Sequence, residues 1–233
     1  MRCENLYTLT IRLSFGRRSL MSQYKKAKYV FLVLAMYLVS YVAIQLSITT
    51  GSYDFTTSFD EMIPFLPQWI WIYHSIIPVI FLTSFFMVRT RKLFFTMIWS
   101  CVAATVVLNL FYIYLPSFYP RLEFEVTSIS EYLVELTRTI DRANNTFPSG
   151  HVTFAWLIYY AASFSKLGNK FTMLRVFYFA WASMISFATL ALKQHYIVDV
   201  VSGIVLATLC FYAARSLLNN YSISISRSGE SGV

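Results

Sequence analysis

Charge is what this sequence has least of. Only 13% of its 233 residues are Asp, Glu, Lys or Arg, against roughly 25% in a soluble domain, so it cannot cover itself in water. Cysteine is also scarce. Cys3, Cys101 and Cys210 show no metal-binding or redox spacing and imply no disulfide framework. Cys101 and Cys210 fall inside apolar runs, where a free thiol packs as a small hydrophobe. The chain has no soluble domain, internal repeat or low-complexity tract. What it has in quantity is apolar surface: 57% of residues are hydrophobic and 18% aromatic. Several runs reach the roughly 20 residues that a helix needs to cross ~30 Å of hydrocarbon. The composition is that of an integral helical membrane protein.

A net charge of +8 invites a nucleic-acid partner, but its distribution excludes one. The basic residues stand in short patches beside apolar runs: Arg12, Arg17, Arg18, Lys25, Lys26 and Lys28, then Arg89, Arg91 and Lys92, then Lys166, Lys170 and Arg175. Such patches signal topology and meet anionic headgroups, so the expected partners are membrane lipids.

The expected fold is all-α, a bundle of six transmembrane helices over about 29–47, 69–88, 93–115, 152–164, 174–192 and 197–217. A basic cytoplasmic segment (1–28) precedes this membrane domain (29–217), and a polar tail (218–233) follows it. The first run is too long for a signal-peptide core and reads as an uncleaved anchor; Met21 offers an alternative start. Basic loops alternate with acidic ones, which carry Asp54, Asp60 and Glu61, then Glu123, Glu125, Glu131 and Glu135. Positive-inside bias puts both termini in the cytoplasm of a plasma membrane, taken to be a bacterial inner membrane. In the outer loop, Ile129, Leu133, Leu136 and Ile140 recur at helical spacing opposite Glu131, Glu135 and Arg138. They predict a short interfacial helix, either packing over the span ends or gating a lipid entrance.

Two motifs fall on that outer face. In Pro148-Ser149-Gly150-His151, proline fits a helix's first turn and glycine lets the backbone come close to a ligand. The N–H groups of Ser149 and Gly150 would then face an anion, with His151 next to them as a proton donor. A plain helix start is the bland alternative. His195 and Asp199 lie four apart, hence on one helical face; a carboxylate on Nδ1 would leave Nε2 as nucleophile or base. Interhelical bonding alone is the alternative there. No third ligand at suitable spacing supports a metal, so no metal and no cofactor is expected. Lys193 brings charge two residues before His195. Arg121 suits phosphate oxygens bidentately unless it merely anchors to headgroups; Arg142 competes for its role, and His74 receives none. Ionisable groups at membrane depth default to function, so the set reads as an enzyme.

These residues resemble the type 2 phosphatidic acid phosphatase superfamily of membrane lipid-phosphate phosphatases and phosphotransferases, whose signatures are Lys-x6-Arg-Pro, Pro-Ser-Gly-His and Ser-Arg-x5-His-x3-Asp. The second is complete at 148–151, and the third is present as His195 and Asp199. Ala188 and Thr189 stand where Ser-Arg is expected. Tyr114 and Leu122 replace the Lys and Pro around Arg121. The Pro116-x3-Pro120-Arg121 and Lys193-Gln194-His195-Tyr196 strings look more like the branch of sphingolipid headgroup transferases such as inositol phosphorylceramide synthase. The resemblance implies that His195, oriented by Asp199, attacks phosphorus and that His151 protonates the departing lipid oxygen. Arg121, Lys193, Ser149 and Gly150 would hold the phosphate, with Lys193 replacing the missing arginine. It implies a phosphatase acting on a lipid phosphate. A phosphotransferase moving a phosphate-bearing headgroup, or a silent transporter or scaffold, is the alternative.

Overall fold

The computed structural model describes residues 22–48 and 52–230, with side chains described to residue 220. The basic residues before residue 22, Cys3 and Met21 lie outside the described residues. Ten α-helices follow in order among the described residues. They are α1 (Gln23–Ser47), α2 (Ser58–Met62), α3 (Ile70–His74), α4 (Ile76–Leu82), α5 (Arg91–Tyr114), α6 (Ile129–Ile140), α7 (Gly150–Ser163), α8 (Lys166–Lys170), α9 (Thr172–Ala191) and α10 (Ile197–Glu230). The result is an all-α helical membrane bundle.

Five segments among the described residues are long and apolar enough to cross a membrane: Gln23–Ser47, Pro67–Met87, Arg91–Tyr114, Thr172–Ala191 and Ile197–Asn220. The expected span at 152–164, the fourth in order, is shorter. With 14 residues, α7 covers only about 21 Å at 1.5 Å per residue. It is also the inner helix. It packs against α5, α9 and α10 and buries Val152, Thr153, Ala155, Leu157, Ile158, Ala161 and Ala162, so neighbouring helices rather than lipid surround it. The segment expected to be a polar tail continues α10 through residue 230.

The second span is broken. A 3-10 turn (Pro67–Trp69) leads into α3, α4 begins two residues after α3 ends, and a π-helical turn (Thr83–Met87) closes the segment. Pro78 explains the break, because it removes an N–H and disfavours helix at the residue before it. The Ser75 N–H falls back on the Ile72 carbonyl at 3.0 Å, and the Ser75 hydroxyl accepts from the Trp181 indole at 2.9 Å. The break holds Tyr73 beside His151 and His74 beside Thr137.

The short helix expected before the Pro-Ser-Gly-His motif forms where the periodicity put it. Ser128 caps it through the Glu131 N–H, and the Glu131 carboxylate accepts from the Thr127 N–H at 2.9 Å. Its inner side, Val134 and Thr137, is buried. Thr137 meets His74 at 2.9 Å, which ties α6 to the broken span. Ile129 and Ile140 remain exposed, at 72% and 70%.

Candidate active site

Both histidine motifs depend on one helix crossing. A Cβ on Gly203 would lie 2.9 Å from the Ser149 carbonyl oxygen and 3.2 Å from the Val152 Cβ. There α10 approaches the start of α7 almost backbone to backbone. The Ser149 N–H donates to the Asp199 carbonyl at 3.1 Å, and the Thr153 hydroxyl donates to the Ser149 carbonyl at 2.8 Å. The Tyr112 hydroxyl donates to the Pro148 carbonyl at 3.0 Å. Ser149 also caps α7, its hydroxyl accepting from the Val152 N–H.

His195 is buried and doubly held. Its Nδ1 lies 2.9 Å from the Thr146 carbonyl oxygen and 3.2 Å from Asp199 Oδ2. A carbonyl oxygen only accepts, so Nδ1 carries the proton and Nε2 keeps the lone pair. Asp199 is fully buried, and the same Oδ2 also accepts from the Tyr196 N–H at 2.9 Å. The turn that presents His195 is clasped by α2 and the loop before it. Asp60 accepts from the Ile197 N–H at 2.7 Å, and Asp54 accepts from the Tyr196 hydroxyl at 2.6 Å.

His151 is held differently. The Tyr73 ring lies against it, with centroids 4.0 Å apart and planes 25° apart, and the Tyr73 hydroxyl is 3.1 Å from its Nδ1. Beyond that hydroxyl is Asp141, whose Oδ2 lies 3.4 Å away and whose Oδ1 accepts from Tyr41.

A cavity of about 380 Å3 joins these groups, lined at its polar end by His151, His195, Asn145, Gln194 and Arg142 and by Gly150. A side chain at Gly150 would meet the Tyr37 hydroxyl at 2.5 Å, so a larger residue where the cavity meets the helix would push the tip of Tyr37 aside. The amides of Gly150 and His151, in the first turn, have no intrahelical acceptor.

The expected phosphate holders are not all there. The ammonium of Lys193, at φ 54°, turns away and donates to the Asp60 carbonyl at 2.7 Å. It fastens the clasp and does not line the cavity. Burial lowers its pKa from the ordinary lysine value, with Asp60 and Glu61 opposing. Arg121 stands one side chain back. It donates to the Gln194 side-chain oxygen and to the Asp141 carbonyl at 2.6 Å. Burial lowers the guanidinium pKa too, and the Asp141 carboxylate opposes that. The Ser149 amide is spent on Asp199. Of the four expected holders only Gly150 reaches the cavity. Arg142, exposed at the rim, is the cation that lines it.

Tyr73, Asp141, Asn145, Thr146 and Gln194 were not predicted as site residues. Gln194 adjoins His195 and Asn145 precedes Pro148 by three residues, so proximity in sequence was the signal for those two. No spacing rule links Tyr73 or Asp141 to the motifs. Among the described residues no group of three or more His, Cys, Asp or Glu side chains is placed to hold a metal ion.

With this geometry in view, the family model of the PAP2 superfamily matches residues 114–222, from the end of α5 through most of α10. The chain carries a PAP2-superfamily domain. Membership of this superfamily supports an activity of the phosphatase or phosphotransferase type. The PAP2 domain holds every residue of the two motifs, while α1 and the broken span outside it supply much of the cavity's apolar wall. None of the curated proteins matches the chain.

Proposed function

We propose that this PAP2 protein is a membrane lipid-phosphate phosphatase working through a phosphohistidine, with its site on the extracytoplasmic side of a bacterial inner membrane and both termini in the cytoplasm. The observation that carries the reading is the cavity's two-part lining. Its polar end holds both histidines. Its deep end is built from Val30, Val33, Leu34, Ile80, Met97 and Cys101, an apolar slot. From Val30 to Tyr41, both in the wall, α1 runs about 16 Å at 1.5 Å per residue, enough for a hydrocarbon chain lying below a phosphate. Leu38, Val42, Ile77 and Leu136 line the cavity yet are exposed. The cavity thus opens sideways between α1, α4 and α6, where a lipid can enter from the bilayer. This favours α6 as a neighbour of the entrance over a mere cover.

The chemistry balances on this chain's own groups. The Nε2 lone pair of His195 attacks phosphorus while the P–O bond to the lipid breaks. The proton on His151 passes to the departing oxygen. Water then attacks phosphorus and gives a proton back to His151 as the P–N bond breaks, which returns the lone pair to His195 Nε2 and releases inorganic phosphate. Thr146 and Asp199 stabilise the imidazolium-like charge that develops on His195. Arg142, the Gly150 amide and the field of Arg121 offset the phosphoryl charge, which is most of what phosphoryl transfer requires. A phosphotransferase would replace the water with a lipid hydroxyl.

The test is purified protein in detergent given phosphatidic acid, phosphatidylglycerophosphate, prenyl pyrophosphates and lipid A in turn. Free phosphate, together with an acid-labile phosphoprotein absent from His195→Ala, supports the phosphatase. A new phosphorylated lipid without free phosphate moves the reading to the transferase. No labelled protein and no turnover overturns both and favours a transporter or scaffold. Activity is expected to survive EDTA; a loss restored by a divalent ion would overturn the metal-free scheme.

A further inference from the structure

Two of the expected cations do not line the cavity, which raises the question of what meets the phosphoryl oxygens beside His195. Two buried side-chain amides stand there. Asn145 is 2% exposed and Gln194 5% exposed, and both line the cavity with His195 and His151. Neither Nδ2 nor Oδ1 of Asn145 has a hydrogen-bond partner among the described residues, and neither does Nε2 of Gln194. Leaving a buried polar group unpaired costs its desolvation without return, so native proteins rarely keep one without a use.

Gln194 is also aimed. Its oxygen accepts from Arg121, which fixes the amide's orientation and leaves its two N–H groups unpaired. A guanidinium on the amide oxygen also polarises those N–H groups, making them stronger donors. Asn145 is set by its backbone. At φ 62° it occupies the left-handed region, which asparagine tolerates better than most residues. Its neighbour Thr146 uses its carbonyl to hold His195. One short segment thus orients the nucleophile and places an amide next to it.

The geometry points to Gln194 and Asn145 as phosphoryl-binding residues, neutral amide donors that take the equatorial oxygens of the phosphorus attacked by His195. Arg121 acts through Gln194 as a positioning residue. The inference rests on the reading of the cavity as a phosphoryl-transfer site, and it adds the groups that bind the transferring oxygens in place of the missing motif arginine.

Orthovanadate, which adopts the five-coordinate geometry of a phosphoryl group under attack, is the probe. Its inhibition constant and the thermal shift it produces are measured on full-length protein in detergent. Two variants separate binding from structure. Gln194→Glu keeps a partner for Arg121 but turns the donor into an anion. Asn145→Gly suits the left-handed backbone and deletes an unpaired group. Both are expected to melt at or above the wild-type temperature without vanadate. The inhibition constant should rise about tenfold or more for Asn145→Gly and about 100-fold or more for Gln194→Glu, the scale of a hydrogen bond to a charged group. Asn145→Asp, of the same shape, replaces the glycine variant if that one fails to fold.

Each residue stands or falls by its own variant. An inhibition constant within twofold of wild type overturns its role, as does a rise accompanied by a lower melting temperature. If wild-type protein neither binds orthovanadate nor forms a phosphoenzyme, the phosphoryl-transfer reading itself fails. If it does both and the variants match it, only the amide assignment fails.

Discussion

His195 and His151 line the same cavity, yet the protein holds them in contrasting ways. His195 sits under two acceptors, a main-chain carbonyl and a buried carboxylate, and its proton has one place to be. His151 has a phenol ring against its face, and the nearest carboxylate, Asp141, lies behind the Tyr73 hydroxyl. The first arrangement suits a group that must always present the same lone pair. The second suits one that must gain and lose a proton within each turnover. The difference fits the proposed division into nucleophile and acid, where the motifs alone would allow either histidine to do either job.

The sharpest way to break this contrast is to remove each ring. His195→Ala should abolish phosphoenzyme formation and cost at least about 10^4-fold in turnover, as loss of a covalent nucleophile does. His151→Ala should cost about 10^2- to 10^4-fold on a lipid phosphate, the span for general acid catalysis, but less than about tenfold on an aryl phosphate, whose leaving group needs no proton. Equal losses on the two substrates would remove His151 from the acid's role.

Asp199→Asn sharpens the comparison further. Losing the carboxylate in a triad costs roughly 10^4-fold when the histidine takes the wrong tautomer. Here the Thr146 carbonyl still holds the Nδ1 proton, so the loss should be only about 10- to 100-fold, with phosphoenzyme still detectable by brief labelling. A loss near 10^4-fold would show that the carboxylate, not the carbonyl, sets the tautomer. The smallest effect is expected for Lys193→Ala. Turnover should change less than about threefold, while the melting temperature falls by the equivalent of roughly one hydrogen bond, ~1 kcal/mol. A large loss of activity without destabilisation would return Lys193 to the phosphate.

The sequence revealed what depends on local spacing. Apolar runs located the helices, and Pro-Ser-Gly-His located the start of α7; His195 and Asp199 do meet, but His195 stands in the turn before α10 and not on the shared helical face that the four-residue spacing implied. The amphipathic period located α6. It could not reveal where long side chains reach. Arg121 and Lys193 were chosen for their charge, but a left-handed backbone turns Lys193 toward Asp60, and Gln194 intercepts Arg121. The break in the second span depends on how Pro78 is accommodated between Ser75 and Trp181, which no hydropathy window registers. Tyr73 and Asp141 lie 68 residues apart in sequence and meet only because α6 folds back over the broken span.

The Gly203 crossing carries a consequence for how this molecule can change. Where chemistry happens, main chain rests on main chain, and neither partner can be altered without moving both histidines. Where the hydrocarbon tail would lie, the wall is made of side chains on α1, α4 and α5, Val30, Val33, Leu34, Ile80, Met97 and Cys101. A sequence drifting under selection can therefore resize the tail slot one methyl group at a time while the reaction stays fixed. Close relatives of this chain should share their reaction and differ in the lipid they admit.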